Sequence, residues 1–92
     1  MGSNQPLSRK VVVLIGNGLH LRVASRLVAL ANTFQSAVWL SSQTRSGSAK
    51  SILATLELGA SKGEPLTVTV DGPDAETALE AICDFLAGRT PI

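Results

Sequence analysis

The stretch "KVVVLIGNGLHLRVASRLVALANTF", Lys10 to Phe34, changes its hydrophobic period once, and that change decides the fold. Its opening, Lys10 to Ile15, carries three consecutive β-branched valines, which lose rotamer freedom in a helix and fit a pleated strand. From Val23 onward the spacing becomes helical: Val23, Leu27, Leu30, Ala31 and Phe34 form a stripe, widened by Ala24 and Val28, with Arg26 on the other side. Between the two lie Gly16 and Gly18, which let the loop bend, and then the chain's single histidine, His20, two residues before Arg22.

Working outward, "SAVWLS" (Ser36 to Ser41) returns to strand composition. The polar "SQTRSGSA" that follows suggests a turn around Gly47 and a short strand near Arg45 to Ala49. Ser51 precedes Ile52, Leu53 and Leu56, a short helical pattern with Ser as N-cap and Gly59 just past its end. After the Gly63 turn, "LTVTV" alternates at Leu66, Val68 and Val70 as a half-buried strand does. "DGPDAE" reads as turn and N-cap, and Ala75, Ala78, Leu79, Ile82, Phe85 and Leu86 form a last helical stripe stopped at Gly88. The order βαββαβα predicts an α+β fold, a two-layer open-faced sandwich whose helices cover one face of one sheet. Residues 1–9 read as a flexible tail, 10–89 as the single domain and 90–92 as a short C-terminal tail. Trp39 and Phe34 are expected to pack inside, and Cys83, beside the last stripe, to be an inert small side chain.

Composition narrows the function. Of 92 residues 45% are hydrophobic and 16% charged, as in a compact globule, and eight Lys+Arg against seven Asp+Glu leave no basic field for nucleic acid or anionic membrane. One Trp, two Phe and no Tyr give little to stack on bases. The longest apolar run, Val11 to Ile15, is far too short to span a membrane, and one cysteine allows no internal disulfide, which suits a cytoplasmic protein. One His and one distant Cys advertise no metal site, and no nucleophile-elbow pattern supports a Ser-His-Asp triad, so neither metal nor cofactor is expected.

A lone loop histidine is most often solvated or structural. His20, however, stands where a helix start exposes backbone N–H groups and the positive end of the helix dipole, and Arg22 adds a guanidinium able to grip phosphate with two parallel bonds. Together these make His20 a candidate phosphoryl acceptor.

Three segments in order, "GLHLRVAS", "AKSILATLELGASKG" and "DGPDAETALEAI", resemble the HPr family of histidine-containing phosphocarrier proteins of the bacterial phosphotransferase system, from about Lys10 to Leu86. The resemblance implies a four-stranded antiparallel sheet in the order 1-4-2-3 under three helices. It implies that His20 takes a phosphoryl group on ring Nδ1 from phosphorylated Enzyme I, itself charged by phosphoenolpyruvate, and passes it to the EIIA domain of a sugar permease. Arg22 would steady the phosphate, and the chain would act as a monomeric intermediate without turnover of its own. Ser51 matches the serine that HPr kinase/phosphorylase modifies in many bacteria, while Leu21, Val23, Ile52, Leu53 and Leu56 fall where partners dock, Leu56 divided between docking and core. Lys50 reads as a solvated flank.

Two positions depart from the pattern. Val23 stands where the family usually has Pro, and Leu21 is larger than the usual Ala or Thr. Valine restores a backbone donor that proline lacks and gives up a fixed φ. Two other readings stay open: a relay serving a regulatory branch, nitrogen-linked or of the dihydroxyacetone-kinase type, and a docking module controlled at Ser51 without phosphoryl transfer.

Overall fold

The structure is a computed structural model that describes residues 5–89. The expected tails at 1–4 and 90–92 lie outside the described residues. The elements run β1 (Leu7–Val12), α1 (Leu21–Ala31), β2 (Ala37–Ser41), β3 (Ser46–Ser48), α2 (Ile52–Leu58), β4 (Pro65–Asp71) and α3 (Ala75–Leu86). The order is the expected βαββαβα, and the four strands form one antiparallel sheet ordered β1-β4-β2-β3.

The alternation in the strands separates the two faces. Val38, Leu40, Leu66, Val68 and Val70 are buried toward the helices, where they share one core with Val23, Leu27 and Ala31 of α1 and Ala78, Ile82 and Leu86 of α3. Residues of the other parity remain outside. Trp39, directly opposite Thr69 and Ser48, is among them, and at 48% exposure it is on the open face, contrary to the expected packing role. Strand composition marked it as sheet, but period-2 parity with buried Val38 and Leu40 decides its side.

β1 begins three residues earlier than expected, at Leu7 inside the predicted tail, and ends at Val12 instead of Ile15. The ladder stops where Val12 faces Pro65, which has no N–H to donate. Beyond it the extended chain finds other partners: Val13 N–H bonds to the Glu64 carbonyl, and Leu14 and Ile15 N–H both bond to the Leu86 carbonyl at the end of α3, at 2.8 and 3.1 Å. The valines correctly indicate extended backbone, while the pairing is set by β4, whose residues lie 53 to 63 positions further along the chain.

Three polar details also differ from the sequence reading. α1 ends at Ala31, and Phe34 lies beyond it, half-buried against the core in a turn whose carbonyl accepts the Lys50 ammonium at 2.8 Å; Lys50 is therefore a tether, not a solvated flank. The turn after β2 is closed by Ser42 and Arg45, and Gly47 lies within β3, where a Cβ would approach the Ala54 methyl to 2.9 Å. Gly47 marks close packing of α2 on β3.

Asp74 occupies the N-cap of α3 as expected, yet its carboxylate makes no cap bond. It accepts instead from the backbone N–H groups of Gln35 and Ser36, at 3.0 and 2.9 Å, and from the Ser36 hydroxyl. Ser36 is fully buried, so this carboxylate satisfies an otherwise orphaned interior hydroxyl. Hydrogen bonds from the Ser36 hydroxyl and then the Gln35 N–H hold the Asp74 carboxyl below its ordinary value. Cys83 is buried, and burial pushes its thiol up, away from the reactive thiolate.

A depressed carboxyl stabilises the fold above its unfolded pKa, and that contribution is lost as pH falls through the folded value. Asp74→Asn should therefore lower the urea midpoint at pH 7 and flatten its dependence on pH below about 4. The opposite outcome is expected at Thr55, whose buried hydroxyl has no hydrogen-bond partner among the described residues. Replacing it by valine should leave stability unchanged or raise it by up to about 1 kcal/mol in the same assay.

Candidate functional site

The loop from Gly16 to His20 is built to turn one residue in and the next out. Gly16 and Gly18 have φ of 53° and 103°, conformations that side-chain-bearing residues rarely adopt. Gly18 N–H closes a turn onto the Ile15 carbonyl at 3.0 Å, and Leu19 N–H bonds across to the Ala60 carbonyl at 2.9 Å, forming an isolated bridge between Gly18 and Ser61. Leu19 is buried in the core; His20, next in the chain, is exposed.

His20 is the N-cap of α1, with extended backbone (φ −77°, ψ 170°), and its imidazole makes no cap bond. Its carbonyl accepts the first bond of the helix, from Ala24 N–H at 2.7 Å. The N–H groups of Leu21, Arg22 and Val23 have no partner among the described residues, and the first turn carries no acidic side chain. A shallow cleft of about 230 Å³ lies here, lined by Gly16, Asn17, His20, Arg22 and Val23. Arg22 is exposed and forms no ion pair among the described residues, so its guanidinium is available beside the imidazole. This arrangement can receive an anion on an accessible ring nitrogen, with neutral donors and one cation around it.

The expected site residues fall into two groups. His20, Arg22 and Val23 meet at the cleft, but Val23 is only 6% exposed and belongs to the core, which leaves its side chain little area for the expected docking contact. In a helix, position 23 lies one turn before Leu27, and the stripe that made it look helical also carries it inward. The other group, Ser51, Ile52, Leu53 and Leu56, lies on or at the start of α2, which packs against α1 but does not line the cleft. Ser51 caps α2, its hydroxyl accepting from Ala54 N–H at 3.1 Å. Leu21, Ile52 and Leu53 are 62%, 42% and 67% exposed, while Leu56 is half-buried. Asn17 lines the cleft and was not singled out from sequence, where an Asn-Gly pair signals only a turn.

A family model described as the PTS HPr component phosphorylation site matches residues 7–88. Among curated proteins, the phosphocarrier protein HPr of Cupriavidus necator is 36% identical over 83 residues, covering 90% of this chain and 93% of the relative. The phosphocarrier protein NPr of Shewanella violacea is also 36% identical over 83 residues, covering 90% of this chain and 91% of its own length. Among solved structures, a phosphocarrier protein HPr from Bacillus anthracis superposes with a TM-score of 0.86 at 34% identity, covering 90% of this chain and 99% of that one.

The bridge that orients the loop is testable at Gly18, where a Cβ would come within 2.6 Å of the Ala60 carbonyl oxygen and φ is positive. Gly18→Ala should cost about 1–3 kcal/mol in urea unfolding and shift the ring resonances of His20, although residue 18 bears no group that touches the imidazole.

Proposed function

The chain belongs to the HPr family of phosphocarrier proteins of the phosphotransferase system, and on that premise we propose that it relays a phosphoryl group through His20 from phosphorylated Enzyme I to EIIA domains of sugar permeases. The observation that carries the proposal is the exposed imidazole at the start of α1, beside Arg22 and three unpaired backbone donors. In the forward step, Nδ1 of His20 attacks the phosphorus carried by phosphorylated Enzyme I, the bond between that phosphorus and the donor breaks, and the ring proton released by His20 compensates the donor atom freed. Arg22 and the helix start stabilise the negative oxygens in both directions.

A relay must also release its cargo. Solvent-exposed helix-end interactions are worth only about 0.3–1 kcal/mol each, so the phosphoryl group is steadied but not trapped. Leu21, Ile52 and Leu53 provide exposed apolar area for docking, consistent with the apolar centre of transient interfaces. Ser51 is the candidate for modification by HPr kinase/phosphorylase; a phosphate at that helix start is tolerated locally and adds negative charge. The chain is proposed to work as a cytoplasmic monomer. Arg9, on the helix side of edge strand β1 beside Glu76 and Glu80, supports this, because an inward charge on an edge opposes pairing with another copy. Among the described residues no helix is long and apolar enough to cross a membrane.

A regulatory relay is the second reading, favoured by the NPr relative, which shares with the HPr one an identity of 36% over 83 residues. Incubation with phosphoenolpyruvate and active Enzyme I, read by intact mass, should give one acid-labile, base-stable phosphate. His20→Ala should abolish it and Ser51→Ala should retain it, while Arg22→Ala should slow uptake on the order of threefold to tenfold, as expected of a solvent-screened charged contact. Offering sugar-branch and nitrogen-branch Enzyme I in parallel ranks the two readings by rate. Failure of wild type to take phosphate from any active donor leaves a docking module.

A further inference from the structure

The first turn of α1 holds a donor of a different kind from its neighbours. Among the described residues the N–H groups of Leu21, Arg22 and Val23 all have no partner, but Leu21 and Arg22 are exposed, whereas Val23 is packed into the core with Leu19 and Leu27. Its backbone is therefore anchored from below while its residue still borders the cleft that holds His20 and Arg22. No carboxylate in the first turn competes for its N–H. The ligand is argued from His20, Arg22 and family membership; the helix start decides only what surrounds it.

We infer that the Val23 backbone N–H is a third donor to the phosphoryl group on His20 and a determinant of how tightly the carrier holds it. The inference rests on the carrier reading and extends it from which atom is phosphorylated to what sets the transfer equilibrium. In that equilibrium one N–P bond is exchanged for another, so bond energies nearly cancel and the donors around each phosphoryl group decide the distribution. An anchored N–H costs little to orient, because core packing has already fixed it. A proline at this position keeps a helical φ but deletes the N–H, and the first turn tolerates that loss because no intrahelical bond uses it. Val23→Pro is therefore a deletion of one donor.

The test is a competition at equilibrium. Equal amounts of wild type and V23P are mixed with catalytic Enzyme I and phosphoenolpyruvate sufficient for half the sites, and intact mass reads the phosphate on each. Wild type should hold about two- to fivefold more, the ratio expected of one helix-terminus interaction. Because V23P also loses core contact, a second readout uses wild type alone: on phosphorylation the Val23 amide proton should move downfield by more than those of Ala24 and Ser25. Equal partition, or a Val23 amide that moves no more than these, overturns the inference while leaving the carrier reading intact. Wild type that takes no phosphate from an active donor overturns both.

Discussion

The hydrogen bond from Leu19 N–H to the Ala60 carbonyl is the constraint on which the site depends. Leu19 is fixed inward, and His20, the next residue, has extended backbone and stands exposed. The bond alone would not suffice. Leu19 is also buried among core side chains, and Gly18 passes so close to residues 60–62 that a methyl group would collide with their backbone. A segment of the α2–β4 connection, distant in sequence, thereby presents the histidine. Ser61 is itself held by the Glu64 carboxylate, which accepts its N–H, so both sides of the bridge are ordered.

That presentation explains how a histidine in a shallow cleft can still be placed for directed chemistry. Binding small molecules usually calls for a concave apolar cavity that buries most of the ligand. A carrier needs the reverse, since its cargo must be reached by two different proteins in turn. Here rigidity comes from below, through Leu19, Val23 and Leu27 in the core, and accessibility from above, where His20 and Arg22 are exposed beside N–H groups that have no partner among the described residues. Preorganisation and exposure, which conflict in an enclosed active site, are assigned to opposite sides of one short backbone segment.

The sequence carried much of this because hydrophobic period is a local signal. The shift from alternation to helical spacing between Ile15 and Val23 located both the loop and the histidine, and Ser51 and Gly59 marked the two ends of α2 as found. What escaped were properties belonging to pairs. The end of β1 depends on Pro65 opposite Val12, the carboxylate of Asp74 depends on Ser36, and the smallness of Gly47 answers to Ala54. Each pair joins two different elements or connections, so the hydrophobic period within one element does not display them. Trp39 shows the same limit in another form: its residue type argued for the interior, and the parity of its strand placed it outside.

Val23 joins the local and the distant parts of the molecule. As a side chain it continues the stripe that attaches α1 to the sheet; as a peptide unit it offers a donor to the cleft. Had the family's usual proline stood there, the backbone would be fixed by its own ring and the donor would be absent. With valine the backbone is fixed by packing instead, and the donor remains. The substitution thus exchanges one source of rigidity for another while changing the electrostatics of the helix start. In a relay that alteration acts on uptake and release with opposite sign: a more favourable surrounding for the phosphoryl group aids its arrival and retards its departure. A residue that carries no phosphate itself can therefore tune how the phosphoryl group divides between the carrier and its partners, and it does so through one of the N–H groups that a helix leaves unused at its beginning.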